Sequence, residues 1–116
     1  MKQILAILLV FIFSNLQGQN CSTINTDFDS YESALKIIKS YEFKFSESCN
    51  TKKSSWIYNA EYFSCNKKTG FLLIKTKSKT YIHKEVPIET WNNFKKAESF
   101  GKYYSKNIKS HYRLVL

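Results

Sequence analysis

The sequence predicts an α+β fold: an N-terminal helix, a three- to four-stranded antiparallel β-meander, and two short trailing helices. Three observations predict it. Tyr31, Ala34, Leu35, Ile38 and Tyr41 recur at helical spacing. Aromatic and β-favouring runs, Ser55–Phe63, Phe71–Thr76 and Thr80–Val86, then follow one another across short polar turns. Beyond Pro87 the apolar residues return to helical steps. Strands in sequence order with helices segregated to the end belong to the α+β class.

Ahead of these elements, Lys2 precedes an unbroken apolar run from Ile4 to Phe13, followed by Ser14, Asn15, Leu16, Gln17 and Gly18. A short positive segment, an apolar stretch and a small residue near its end form the pattern of a cleaved signal peptide, expected over residues 1–18. The run falls well short of the ~20 apolar residues that a bilayer-spanning helix needs. Cys21 lies close behind, but Gln19 and Asn20 stand where a lipoprotein signal carries small residues. The expected product is exported to the periplasm or beyond, with no transmembrane segment in the mature chain and length for one domain.

Residues 19–53 are expected to supply a helix and linker that pack on a main domain at 54–116. Asp29 with Glu32 three residues on offers a capping box for a helix at Ser30–Ser40. A lone helix of that length is marginal in water, so it is expected to dock. Tyr41–Phe45 alternates like a short strand, and Ser46–Lys53 is a polar linker. In the main domain Cys65–Gly70 forms a turn, with Gly70 available for positive φ. Lys77–Lys79 forms the next turn. Pro87 suits the entry of a helix marked by Ile88, Trp91, Phe94 and Ala97. Ser99 can cap the last helix, which carries Phe100, Tyr103, Tyr104 and Ile108.

The ordered series Ser54-Ser55-Trp56-Ile57, Tyr62, Phe71 to Ile74, Thr80-Tyr81-Ile82-His83, Val86-Pro87, Trp91/Phe94, Ala97 through Lys109, and Tyr112 resembles the KTSC domain. That module is named for its place at the C-terminus of some lysyl-tRNA synthetases and also occurs alone in bacteria. The resemblance spans Ser54–Tyr112. The family has no established activity, and RNA binding is the role usually suggested for it. Its Tyr-x-Tyr motif reads Tyr81-Ile82-His83 here, with histidine in place of the second aromatic. Export would separate this chain from tRNA, which leaves extracellular nucleic acid, anionic polysaccharide or a membrane surface as anionic partners.

Charge divides the chain. Gln19–Asn50 holds three lysines against five acids, a balance of −2, whereas Thr51 onward holds thirteen lysines and one arginine against four acids, a balance of +10. Such a surface attracts polyanions, although lysines also serve solubility. On a strand, Tyr81 and His83 share one face, and aromatics beside lysines suit stacking on bases. Packing of Tyr81 against Tyr62 on a neighbouring strand is the structural alternative. The densest candidate surface is Lys102, Tyr103, Tyr104, Lys106, Lys109 and Arg113, where cations and aromatics interleave. Tyr104 and Ile108 are also placed to pack together against the sheet. The ligand-binding expectation therefore rests on Tyr81, His83, Lys102, Tyr103, Tyr104, Lys106, Lys109 and Arg113, with nucleic acid or another polyanion as partner and a protein partner as the competing class.

Three cysteines, Cys21, Cys49 and Cys65, would meet an oxidising compartment. Cys49 and Cys65 flank a predicted strand about 30 Å long. That favours a bridge from Cys21, and Cys21–Cys65 is the expected pairing, with Cys21–Cys49 left open. Closing such a loop contributes ~3–4 kcal/mol in the chain-entropy model. Neither Cys-x-x-Cys nor His-x-x-x-His occurs, so no metal or cofactor is expected. His-Glu-x-x-His, Gly-x-Ser-x-Gly and Gly-rich phosphate loops are also missing, and no catalytic residue is assigned. The remaining enzymatic reading pairs His83 with His111 as acid and base of a phosphodiester-cleaving site, with Lys106, Lys109 or Arg113 stabilising phosphate charge.

Overall fold

A helix packs on one face of a four-stranded antiparallel sheet and two short helices pack on the other. The computed structural model describes residues 28–114; the expected signal peptide and Cys21 lie outside them. Helix α1 is Tyr31–Ser40, followed by β1 (Phe45–Cys49), β2 (Ile57–Ser64), β3 (Thr69–Thr76), β4 (Thr80–Pro87), α2 (Ile88–Lys96) and α3 (Phe100–Asn107). The strands pair in sequence order, an up-and-down meander with β1 and β4 at its edges. The predicted α+β class is the one observed.

Period-two alternation along β3 explains the layers. Phe71 and Leu73 point to one face, where Phe28, Ala34, Ile38, Ile82 and Leu114 close a small core under α1. Leu72 and Ile74 point to the other, into a larger core with Tyr62, Trp91, Phe94, Phe100, Tyr104 and Ile108. Tyr62 stacks on Trp91 at 5.4 Å, and Trp91 on Phe94 at 5.9 Å. Full burial of a side chain such as Ile38 contributes roughly 1.5–3 kcal/mol, which is what holds a helix too short to stand alone.

Two bulges re-phase the strands. Leu72 opposes His83 and Gly70 opposes Val86, so Lys84 and Glu85 stand against Phe71 alone. Glu85 takes φ 55°, and Val86 thereby turns to the face already used by Tyr81 and His83. The imperfect alternation of the sequence in β4 has this cause. In β2 the register slips between Ile57 and Asn59, and the intervening Tyr58 is left 55% exposed.

Several local expectations are corrected. Ser30, not Asp29, caps α1, accepting from Ser33 N–H at 3.1 Å. The first strand runs from Phe45 rather than ending there, because β2 terminates at Ser64 opposite Phe45 and offers earlier residues no partner. Tyr41 and Phe43 instead join a ring cluster with Phe63 and Phe71. Gly70 has no positive φ; Lys67 provides it in that turn, at 59°. Glycine is required at 70 by proximity, since a Cβ there would meet Phe63 O at 2.3 Å. Tyr62 and Tyr81 are not cross-strand partners: Tyr62 opposes Leu72, is fully buried, and donates to the Val86 carbonyl at 2.7 Å.

Candidate polyanion-binding surface

The outer edge of β4 is covered. Lys84 N–H donates to Tyr112 O at 3.0 Å, Leu114 N–H to Ile82 O at 3.4 Å, and His83 bridges antiparallel to Arg113. The chain after α3 thus folds back along the strand, which removes an unpaired edge. From the opposite face Tyr31 of α1 reaches the same edge, its hydroxyl accepting from Ile82 N–H at 2.5 Å. These arrangements frame a pocket of about 370 Å³.

Its walls are phenolic, imidazole and cationic. Tyr31, Tyr81, Tyr104 and His83 line it together with Lys79, Lys109 and Arg113; Trp56, Ile82 and Leu114 complete it, and among the described residues no carboxylate takes part. The Lys79 ammonium lies 4.9 Å from the Tyr31 ring centroid and 5.1 Å from that of Tyr81. Both contacts favour the cation electrostatically and hold it at the pocket wall.

His83 is 3% exposed, and its Nε2 lies 2.8 Å from the Tyr104 hydroxyl. Desolvation lowers its pKa to about 4, with the Arg113 charge adding to that effect and the Tyr112 carbonyl opposing it. Despite that carbonyl, Nδ1 has no partner in hydrogen-bond geometry. Burial pushes the Tyr104 and Tyr31 phenols up, so both stay protonated at neutral pH. A protonated Tyr104 can donate to Nε2, which assigns the imidazole proton to Nδ1 by inference.

Trp56 links this pocket to a second, more open cleft of about 750 Å³. Lys53, Lys102 and Lys106 line that cleft with Ser54, Ser55, Ser99 and Ser105, and Glu98 is its carboxylate. The indole is 39% exposed and packs edge-on against Tyr104 at 5.8 Å. It crosses α3 where a side chain is missing: a Cβ on Gly101 would sit 2.4 Å from Nε1. Glycine costs helix stability, and here it admits the indole.

Of the residues expected from the sequence, the pocket gathers Tyr81, His83, Tyr104, Lys109 and Arg113, while Lys102 and Lys106 fall in the cleft. Tyr103 joins neither; it is half-buried against Phe94. Tyr104, 2% exposed, has no free face for a base, and its hydroxyl is taken by His83. His111 is exposed, its ring beside Tyr112, and is not brought into the pocket with His83. Tyr31, Trp56 and Lys79 were missed. Lys79 was legible, since it precedes Tyr81 by two residues; Tyr31 is placed only by the docking of α1.

Among the described residues no group of histidine, cysteine and acidic side chains is arranged to hold a metal ion, and no helix is long and apolar enough to cross a membrane. The family model of the KTSC domain matches residues 53–112, over half of the chain. The chain belongs to the KTSC domain family. No curated protein and no solved structure matches it. The KTSC segment supplies Trp56, Lys79, Tyr81, His83, Tyr104 and Lys109, whereas Tyr31, Arg113 and Leu114 come from outside it. The KTSC aromatics divide accordingly: Tyr62 and Tyr104 serve the core through their rings and bond inward, and Trp56 retains an open face.

Proposed function

We propose that the protein is an exported, non-catalytic module that binds single-stranded nucleic acid without sequence preference. The observation that carries this reading is the half-open Trp56 indole, shared by a cleft bearing Lys53, Lys102 and Lys106 and a pocket bearing Lys79, Lys109 and Arg113. A base stacks on the indole while the cations on either side take the phosphates, the division of labour used by single-strand binders. Binding is favoured over cleavage because His83 is neutral near pH 7 and His111 lies outside the pocket.

Trp91 is fully buried, so ligand-induced quenching of intrinsic fluorescence reports Trp56. Titration with a short oligothymidylate should give an affinity that falls steeply with salt. Lys106→Gln with Lys109→Gln should flatten the log–log slope by about 0.7 per lost phosphate contact. Trp56→Ala, which removes the reporter and is followed instead by the anisotropy of a dye-labelled strand, should cost ~1–3 kcal/mol and leave that slope unchanged. Equal binding of an acidic polysaccharide would widen the ligand class to polyanions, and indifference to both at low salt would refute the reading. Exposed Tyr58 beside the Trp56 segment favours a protein partner as the second reading; such an interface would respond little to salt.

A further inference from the structure

Pocket and cleft are not equivalent. The cleft is open, twice as large, and carries Glu98 among its lysines. The pocket is more enclosed, sets three cations against no carboxylate among the described residues, and contains a buried imidazole nitrogen, His83 Nδ1, with no partner in hydrogen-bond geometry among them. Its volume of about 370 Å³ lies at the small end of the ~300–1,000 Å³ typical of small-ligand sites. That is room for one nucleotide residue rather than a run of them.

Resting on the strand-binding reading above, we propose that this pocket seats the terminal phosphate monoester of the strand, with Trp56 and the open cleft taking the residues that follow. A monoester carries about −1.5 to −2 charges at neutral pH, against one for an internal diester. It has three terminal oxygens to accept bonds from Lys79, Lys109 and Arg113. The Tyr31 hydroxyl accepts from Ile82 N–H and donates only a long bond, 3.4 Å, to the Ile82 carbonyl, which a phosphate oxygen can replace. An internal diester must continue on both sides, which suits the cleft and not the enclosed pocket. Tyr31 and Arg113 lie outside the KTSC match, so this chain's flanking segments complete a pocket that the KTSC segment only begins with Lys79, His83 and Lys109.

The test compares short oligothymidylates with a 5′-phosphate, a 3′-phosphate, or hydroxyls at both ends, by fluorescence titration of the mature protein. One of the phosphorylated ends should bind roughly tenfold tighter than the hydroxyl-ended strand, and inorganic phosphate should remove that advantage. Lys79→Gln and Arg113→Gln should abolish the preference. Lys36→Gln, which removes an exposed charge on α1, should preserve it. Equal affinity for all three strands with a steep salt slope would overturn the end seat and leave strand binding intact. No binding of any strand at low salt would overturn both.

Discussion

Replacing His83 by glutamine should reduce the acid sensitivity of the fold. In the folded protein desolvation holds the imidazole pKa down to about 4, from an ordinary 6.5. Above pH 6.5 the ring is neutral folded or unfolded, and its titration does not change stability. As pH falls below 6.5 the unfolded chain binds a proton that the folded chain refuses, so stability falls until about pH 4 and then levels. At pH 5 the linkage amounts to about 2 kcal/mol, rising to ~3 kcal/mol at the acid limit. Glu47 acts in a lower window. Its hydrogen bonds from Lys95 and Trp91 depress its pKa below 4.5, so the stability it contributes is present above 4.5 and lost on further acidification.

The measurement is urea unfolding at pH 7 and pH 5, followed by far-ultraviolet circular dichroism. Wild type should lose about 2 kcal/mol more over that interval than His83→Gln, which has no group to titrate at this position. The comparison is between slopes, so any loss that the substitution causes at both pH values cancels. Identical losses in the two proteins would show that His83 is not held neutral by burial, and would remove the electrostatic account of the pocket floor.

Gly101→Ala should push Trp56 out of its seat, shifting tryptophan emission and weakening oligonucleotide binding. The gain in helix propensity, about 1 kcal/mol, should keep global stability near wild type; unchanged emission would refute the fit. Cys49 is a free, half-buried thiol whose pKa burial raises. If Cys21 pairs with Cys65, denatured, unreduced protein should label once, at Cys49, and three labels would exclude the bridge. If residues 1–18 are a signal peptide, the mass of natively exported protein should lack about 18–20 residues, and full-length protein confined to the cytoplasm would refute export.

Alternation and turn chemistry made the meander legible, because Phe71–Ile74 must face two cores and the polar segments between strands can only turn. What the pattern could not reveal was register. Tyr58 and Glu85 are bulge residues whose displacement depends on the partner strand, and the pairing of Tyr62 with Leu72 rather than Tyr81 is likewise set by strand order and register. Pairing of β1 brings Cys49 beside Ala60, still five residues along β2 from Cys65, and the free Cys49 thiol leaves Cys21–Cys65 as the bridge to test. Half of the candidate site was legible as residue types and not as a place. The string Lys102 to Arg113 contains cations for two different cavities, and only the fold-back of Tyr112–Leu114 along β4 separates them.

That separation bears on why the lysines are there. Solubility is served by cations scattered among acids. The ion pairs between described residues are Lys39–Glu61 and Lys95–Glu47, and neither contains a cation of the pocket or the cleft. The six cations flanking Trp56 thus line the pocket and cleft that share its indole, with Glu98 as the one carboxylate among the described lining residues. Bringing like charges together costs free energy in the unliganded protein. The tail adds to that cost by bringing Arg113 to a pocket that already holds Lys79 and Lys109, where its field lowers the pKa of His83. An anion seated there would relieve the repulsion, whereas a surface selected only for solubility would gain nothing from the clustering.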